Sequence, residues 1–289
     1  MTADTHPYAG FYINLNRSPA RRREIEAGLR ALGIEGRYRR FPAVDGATIE
    51  NPGRLKPGQA GCFHSHYEVL RQGEKTGLPL HIIEDDILFS DKFDQVARTI
   101  VSNKLLDRYD IIFTDTFVHT DLNHLAFLKN AYDQTMKGEG NTFKVLGLKE
   151  TQLACTSSYF VSAASVKKVA ALRAEELAAG LTMPNDLFLR RMANTGKLRM
   201  GCWFPFVTTI RLEHIMATSI EGREKQVENL SVLASALLRY SFFMGRDLEG
   251  YAKKFLAALN AGAERNPDTH KDLLMDVLEF TLSERYRAF

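Results

Sequence analysis

An α/β fold followed by a helical appendage is the architecture this sequence predicts, on three observations. Short apolar runs alternate with helix-like stretches, two of those runs end abruptly in acids, and after about residue 223 the apolar spacing changes to threes and fours. Strands alternating with helices of about 10–15 residues imply a mostly parallel sheet. With 289 residues, 45% hydrophobic and 25% charged, the chain can bury one large core without disulfide support.

The elements follow in order. Residues 11–15 read as a buried strand. Ser18 stands at an N-cap with Pro19 at the first helical position, and that helix runs to about Leu32, before Gly33. A second strand fits Tyr38 to Val44 and is closed by the turn pair Asp45-Gly46. Pro57 and Gly58 open a helix carrying Gly61 to Gln72. Leu80 to Ile83 is a short apolar run that stops at Glu84-Asp85-Asp86, and Tyr109 to Thr114 repeats the pattern into Asp115. Ser157 to Val161 suits a strand feeding a helix from about Ala163 to Ala179, and Leu198 to Val207 suits two short strands. Residues 223–243, 247–261 and 269–285 each carry helical apolar spacing. The expected division is an α/β domain over 1–222 and a helical appendage over 223–289.

Composition narrows the function classes. The three cysteines, Cys62, Cys155 and Cys202, are odd in number and form no CxxC pair, which argues against a disulfide framework or a structural zinc site. A net charge of +3 is carried in small clusters, too weak a footprint for nucleic acid. The first ten residues show no basic-then-apolar leader, and no run of about 18 apolar residues occurs, so the expected address is cytoplasmic, at most at the inner face of a membrane. A glycine-rich phosphate loop is missing from Asn14-Leu15-Asn16-Arg17, which disfavours dinucleotide oxidoreductases and nucleotidyltransferases.

Ligands of open α/β sheets bind beyond the carboxyl ends of the strands. Glu84, Asp85 and Asp86 gather there, and three adjacent carboxylates repel one another unless a cation sits among them. Mg²⁺ or Mn²⁺ takes oxygen ligands and bridges to phosphates. The same acids also suit a solvated turn or a helix cap.

Ordered short motifs now add a resemblance. Ile13-Asn14-Leu15-Asn16-Arg17-Ser18 with Arg21-Arg22, Phe41-x-Ala43-Val44-Asp45-Gly46, Gly61-Cys62-Phe63-His64-Ser65-His66 and Ile83-Glu84-Asp85-Asp86 resemble the glycosyltransferase family 25 pattern in order and spacing. Ser158 to Ser162, Pro184 to Leu189, Pro205-Phe206-Val207 and Thr218-Ser219-Ile220 extend the likeness over roughly residues 11–220. His64 departs from it, standing where an apolar residue is usual, and the chain after about residue 223 has no counterpart.

The resemblance implies a GT-A-like nucleotide-sugar-binding fold and inverting transfer of a hexose, most often galactose. The implied donor is a UDP-hexose and the usual metal is Mn²⁺, with Mg²⁺ the alternative. The implied acceptor is a surface glycan such as lipooligosaccharide, which can be lipid-linked. It implies Asp86 as metal ligand, with Asp85 or Glu84 on the ribose or the metal's water shell. Asn14, Arg17 and Arg21 would serve the donor, where an amide reads a base edge and a guanidinium faces phosphate. Asp45 would stand beside the donor, Ser65 would donate to phosphate, and His66 would orient the donor or the acidic loop.

Asp186, at a helix start, is either a first-turn acid favoured by the helix dipole or the base that deprotonates the acceptor hydroxyl. Asp115 is a secondary candidate for sugar recognition, His214 for a third metal ligand, and Trp203 for stacking on sugar or for the core. Basic residues mixed with aromatics at Arg239 to Phe243 and Arg285 to Phe289 suit either a membrane surface or packing onto the catalytic domain. The reading from another class is a non-catalytic glycan-binding or partner protein that retains the fold.

Overall fold

The computed structural model describes residues 7–118, 122–137, 143–148, 155–211, 214 and 230–245. Among the described residues, seven strands form one mixed sheet in the order β2-β1-β3-β7-β5-β8-β6. They are β1 (Ala9–Asn14), β2 (Tyr38–Pro42), β3 (Leu80–Glu84), β5 (Ile111–Phe113), β6 (Lys144–Gly147), β7 (Ser158–Val161) and β8 (Met200–Phe204). β4 (Ile87–Phe89) and β9 (Thr208–Ile210) pair antiparallel as a separate ribbon.

The expected mostly parallel sheet is found, with five strands in one direction and two reversed. β2, β1 and β3 are parallel neighbours, as are β5 and β8, but β7 runs antiparallel between β3 and β5, and β6 runs antiparallel on β8. A strand's direction depends on how the chain returns to the sheet, and neither a five-residue apolar run nor its flanks carries that information.

The strands alternate strictly between two cores, as a sheet covered on both faces must. Phe11, Ile13, Leu80, Ile82, Ile111, Phe113, Tyr159 and Val161 face one core. Tyr12, Ile83, Ile112, Phe160 and Trp203 face the other. The first is closed by α2 (Pro57–Gly73), α5 (Leu122–Lys137), α6 (Val166–Ala178), α7 (Asn185–Asn194) and α8 (Leu230–Ser241). The second is closed by α1 (Pro19–Ala31), α3 (Phe93–Ser102) and the short α4 (Leu105–Arg108).

Ser18 holds the N-cap position of α1, but its side chain makes no capping bond. Instead the Asn14 amide donates to the Ser18 carbonyl at 3.0 Å. Within α8 and just beyond it, Leu237, Leu238, Tyr240, Phe242 and Phe243 are buried in the main core, so this aromatic stretch packs against the sheet and is not offered to a membrane. The helices expected at 247–261 and 269–285, and Arg285 to Phe289, lie outside the described residues. No helix among the described residues is long and apolar enough to cross a membrane.

Two glycines explain why two of the short motifs occur together. A Cβ on Gly46 would stand 1.7 Å from the Pro57 carbonyl oxygen, and one on Gly61 would stand 2.6 Å from that of Val44. Loop 43–46 therefore lies directly on the first turns of α2. Ser65 fastens it by accepting from the Val44 amide at 2.9 Å and donating to the Gly61 carbonyl at 2.6 Å.

Candidate functional site

The carboxyl ends of β1, β2, β3 and β5 lie at one edge of the sheet. Because β7 is antiparallel, its start joins them there. Ile83 pairs with Ser158, and the Glu84 amide donates to the Ser157 carbonyl at 2.8 Å. Glu84 ends β3, and Asp85-Asp86 form the turn into β4. The Arg211 amide holds that turn by donating to the Asp86 carbonyl at 2.8 Å. The acidic triplet is thus clamped between the main sheet and the β4–β9 ribbon.

Its three side chains diverge. Glu84 faces α2, where its Oε1 lies 3.3 Å from His66 Nε2 and accepts from Thr156 Oγ1 at 3.1 Å. Asp85 faces β1 and α1, with Oδ2 accepting from Asn14 Nδ2 at 2.6 Å and Oδ1 lying 3.5 Å from Arg21. Asp86 turns inward, and its Oδ1 is fully enclosed without a hydrogen-bond partner. Burial, reinforced by the neighbouring Glu84 and Asp85, lifts the Asp86 carboxyl well above the usual carboxylate range. Burial likewise raises Asp85, against the pull of Asn14 and Arg21.

Several expected ligand-facing groups are committed within the protein. Asn14 is 1% exposed, and its amide is spent on Asp85, on the Ser18 carbonyl and on accepting from Arg40 Nε at 3.0 Å. Reading a base edge is replaced by aiming Asp85. The Ser65 proton goes to the Gly61 carbonyl, so it is not available to a phosphate. Arg17 and Asp45 form an ion pair at the exposed rim, where both remain open to solvent, and Asp45 Oδ1 also accepts from the Ala47 amide. His66 is fully buried, with Nδ1 2.8 Å from the Tyr159 hydroxyl and Nε2 turned to Glu84. Burial lowers its pKa and favours the neutral ring.

Asp186 lies in the first turn of α7, partly exposed, with Oδ1 accepting from the Leu187 amide at 2.9 Å. Its neighbour Asn185 makes the connection to the acids. Asn185 Nδ2 donates to Thr156 Oγ1 at 3.0 Å, and Thr156 donates to Glu84. Arg173 supports Asn185 from α6, buried between Phe63 and Phe188. Asp115 is buried, accepting from Ser157 and ion-paired with Arg239. His214 Nε2 contacts Glu24 Oε2 at 2.7 Å, and Trp203 is buried with its ring stacked on Phe143. Trp203 therefore belongs to the core.

A buried polar chain beneath the site escaped sequence reading. Thr208 and Thr114 hydroxyls lie 2.8 Å apart, Thr114 donates to Ser158 at 2.6 Å, and Ser158 lies 3.1 Å from His81 Nε2. His81 Nδ1 then meets the Tyr38 hydroxyl at 2.6 Å. Thr156, Asn185 and Arg40 were also not singled out. Their signal, polar residues beside strand ends and helix starts, is too common to stand out without the fold.

Comparison with known proteins adds the family. The model described as glycosyltransferase family 25 (LPS biosynthesis protein) matches residues 9–189, a span holding every one of the predicted donor, metal and base residues. A Drosophila melanogaster protein named "Glycosyltransferase 25 family member" is 34% identical over 124 residues, covering 36% of this chain and 20% of that one. The human "Inactive glycosyltransferase 25 family member 3" is 31% identical over 127 residues, covering 36% and 21%. The chain thus spans about a fifth of the length of the curated relatives it matches. Among solved structures, the galactosyltransferase LgtC in complex with donor and acceptor sugar analogues aligns over 67% of this chain and 72% of its own, at 12% identity and a TM-score of 0.33.

Proposed function

Because the chain belongs to glycosyltransferase family 25, we propose that it moves a hexose, galactose foremost, from a UDP-sugar onto a surface glycan of the lipopolysaccharide kind, with a divalent cation and with inversion. The observation that carries this reading is the enclosed, partnerless Asp86 Oδ1 beside two further carboxylates. An anion kept from water without a partner is costly, and a hard divalent ion offsets that cost. The residues therefore fit Mn²⁺ or Mg²⁺, with Asp86 as ligand and Glu84 or Asp85 on its water shell or the ribose. When bound, the ion would neutralise the diphosphate as it departs.

The remaining roles belong to the chain's own residues. Asn14 and Arg21 orient Asp85, and Arg17 and Asp45 flank the donor at the open rim. His66 and Thr156 hold Glu84. Asp186 takes the proton from the acceptor hydroxyl as its oxygen bonds the anomeric carbon, and the electron pair of the broken bond leaves with UDP. The Asn185–Thr156–Glu84 bridge supports this assignment by tying the start of α7 to the acidic strand end.

A second reading, a non-catalytic protein retaining the fold, is favoured by relatives from mouse and human that are named inactive. Thermal shift with UDP, GDP, CDP and ADP, each with Mn²⁺ or EDTA, separates the two when combined with UDP release from UDP-galactose and UDP-glucose. A ligand at about 100 times its Kd stabilises by about 2.7 kcal/mol. UDP stabilisation that needs Mn²⁺, is lost in Asp86→Asn and accompanies turnover supports the transferase. No nucleotide shift and no turnover leaves the non-catalytic reading.

A further inference from the structure

We propose that Cys62, His66 and Glu84 form a separate site for a soft divalent cation of the zinc class. Cys62 and His66 stand four residues apart on α2, so they share one face of the helix. Glu84 reaches them from the end of β3, and the three ligand atoms lie within 4.8 Å of one another. Ligand atoms around a tetrahedral zinc lie about 3.3–3.6 Å apart, given its bond lengths to sulfur, nitrogen and oxygen. His66 Nε2 and Glu84 Oε1 are already 3.3 Å apart.

The second shell has the form such sites use. The Tyr159 hydroxyl, 2.8 Å from His66 Nδ1, fixes the ring when Nδ1 carries the proton and leaves the Nε2 lone pair facing Glu84. Thr156 orients the Glu84 carboxylate from its other side. Cys62 and Glu84 are each partly exposed, which gives an ion a path in, while His66 is fully buried. Arg173 is buried nearby, and its charge opposes that of the ion. A thiolate and an imidazole select against Mg²⁺ and Mn²⁺ and for zinc. The site shares Glu84 with the acidic triplet but needs neither Asp85 nor Asp86.

Cobalt reports this site without nucleotide or turnover, so the result is independent of whether UDP binds. Co²⁺ added to the full reduced chain is expected to give a near-ultraviolet thiolate-to-cobalt band and visible tetrahedral bands, saturating at one equivalent and bleached by Zn²⁺. Loss of the thiolate band in Cys62→Ser, with an unchanged melting profile, and its retention in Cys155→Ser/Cys202→Ser complete the expected pattern. Tyr159→Phe should weaken binding about 10–100-fold, as removal of a second-shell partner does. A wild-type chain without a thiolate band, or a band that survives in Cys62→Ser, overturns the proposal.

Discussion

Arg239 and Asp115 form a buried ion pair that joins α8 to the end of β5, immediately behind the acidic strand end. Ser157 completes it, accepting from Arg239 at 2.8 Å and donating to Asp115 at 3.2 Å, while its carbonyl receives the Glu84 amide. Burial alone would lower the Arg239 pKa, but the Asp115 charge outweighs it and keeps the guanidinium charged. Breaking one side of such a pair strands the other charge, at a cost of about 3–5 kcal/mol. Arg239→Met should therefore lower the unfolding free energy by about that amount in urea. Asp115→Leu/Arg239→Met, which removes both charges, should recover much of it. Equal stability of the single and double variants would refute the coupling.

The contact between loop 43–46 and α2 makes a second prediction. In Gly61→Ala the new methyl meets the Val44 carbonyl and the Gly46 backbone, neither of which is the tip of a flexible side chain. Overpacking of this kind costs about 1–3 kcal/mol and shifts the backbone that carries Asp45. Ser65→Ala leaves the half-buried Val44 amide without its acceptor, at about 1 kcal/mol. Urea midpoints measure both, and an unchanged midpoint in either variant would show that the loop is not held this way.

These glycines also mark what the sequence made legible. The order and spacing of the motifs, the acidic strand ends and the helix starts at Pro19 and Pro57 were all visible, because each rests on local chemistry. The partner of Asn14 was not, because Asp85 lies 71 residues away across a parallel ladder. The antiparallel course of β7 was hidden for a similar reason, since it is set by a long return of the chain. Arg239 reads as a surface charge among aromatics until Asp115 is found behind it. Cys62 and His66 were within reach, being four apart on an expected helix, but that spacing alone names no site. Their third member, Glu84, arrives from another element.

His81 adds a pH dependence. It is fully buried between the Tyr38 and Ser158 hydroxyls and stacked on Phe160 at 4.1 Å, and burial pulls its pKa down to about 3. The unfolded chain takes up a proton at about pH 6.5, which the native chain refuses. Stability is therefore full above that pH and falls as pH drops towards 3, by at most about 1.4 kcal/mol per unit. Between pH 8 and 5 the loss from this residue is about 2 kcal/mol. His64 and His66, also lowered by burial, act in the same direction. Urea unfolding at pH 8, 6 and 5 should show the decline, and His81→Gln should flatten it by about 1 kcal/mol per unit across the lower interval. Parallel slopes for the variant and the wild type would mean that His81 is protonated in the folded state.

Asp186 separates chemistry from binding. It stands one residue beyond Asn185, whose bridge through Thr156 ends on Glu84, yet its own carboxylate accepts only from the Leu187 amide among the described bonds. Asp186→Asn keeps the size and the hydrogen-bond acceptor for that amide while removing the basic oxygen, so the helix start should persist and the melting point should change little. A positioned base contributes about 10²–10⁴ in rate. Transfer from the UDP-sugar should fall by that factor, while stabilisation by UDP with Mn²⁺ remains as in the wild type. Asn185→Ala should act differently, loosening Thr156 and Glu84 and weakening UDP binding along with transfer. If Asp186→Asn transfers at the wild-type rate, the residue is a first-turn acid of α7 and the base must be sought elsewhere along the carboxyl edge of the sheet.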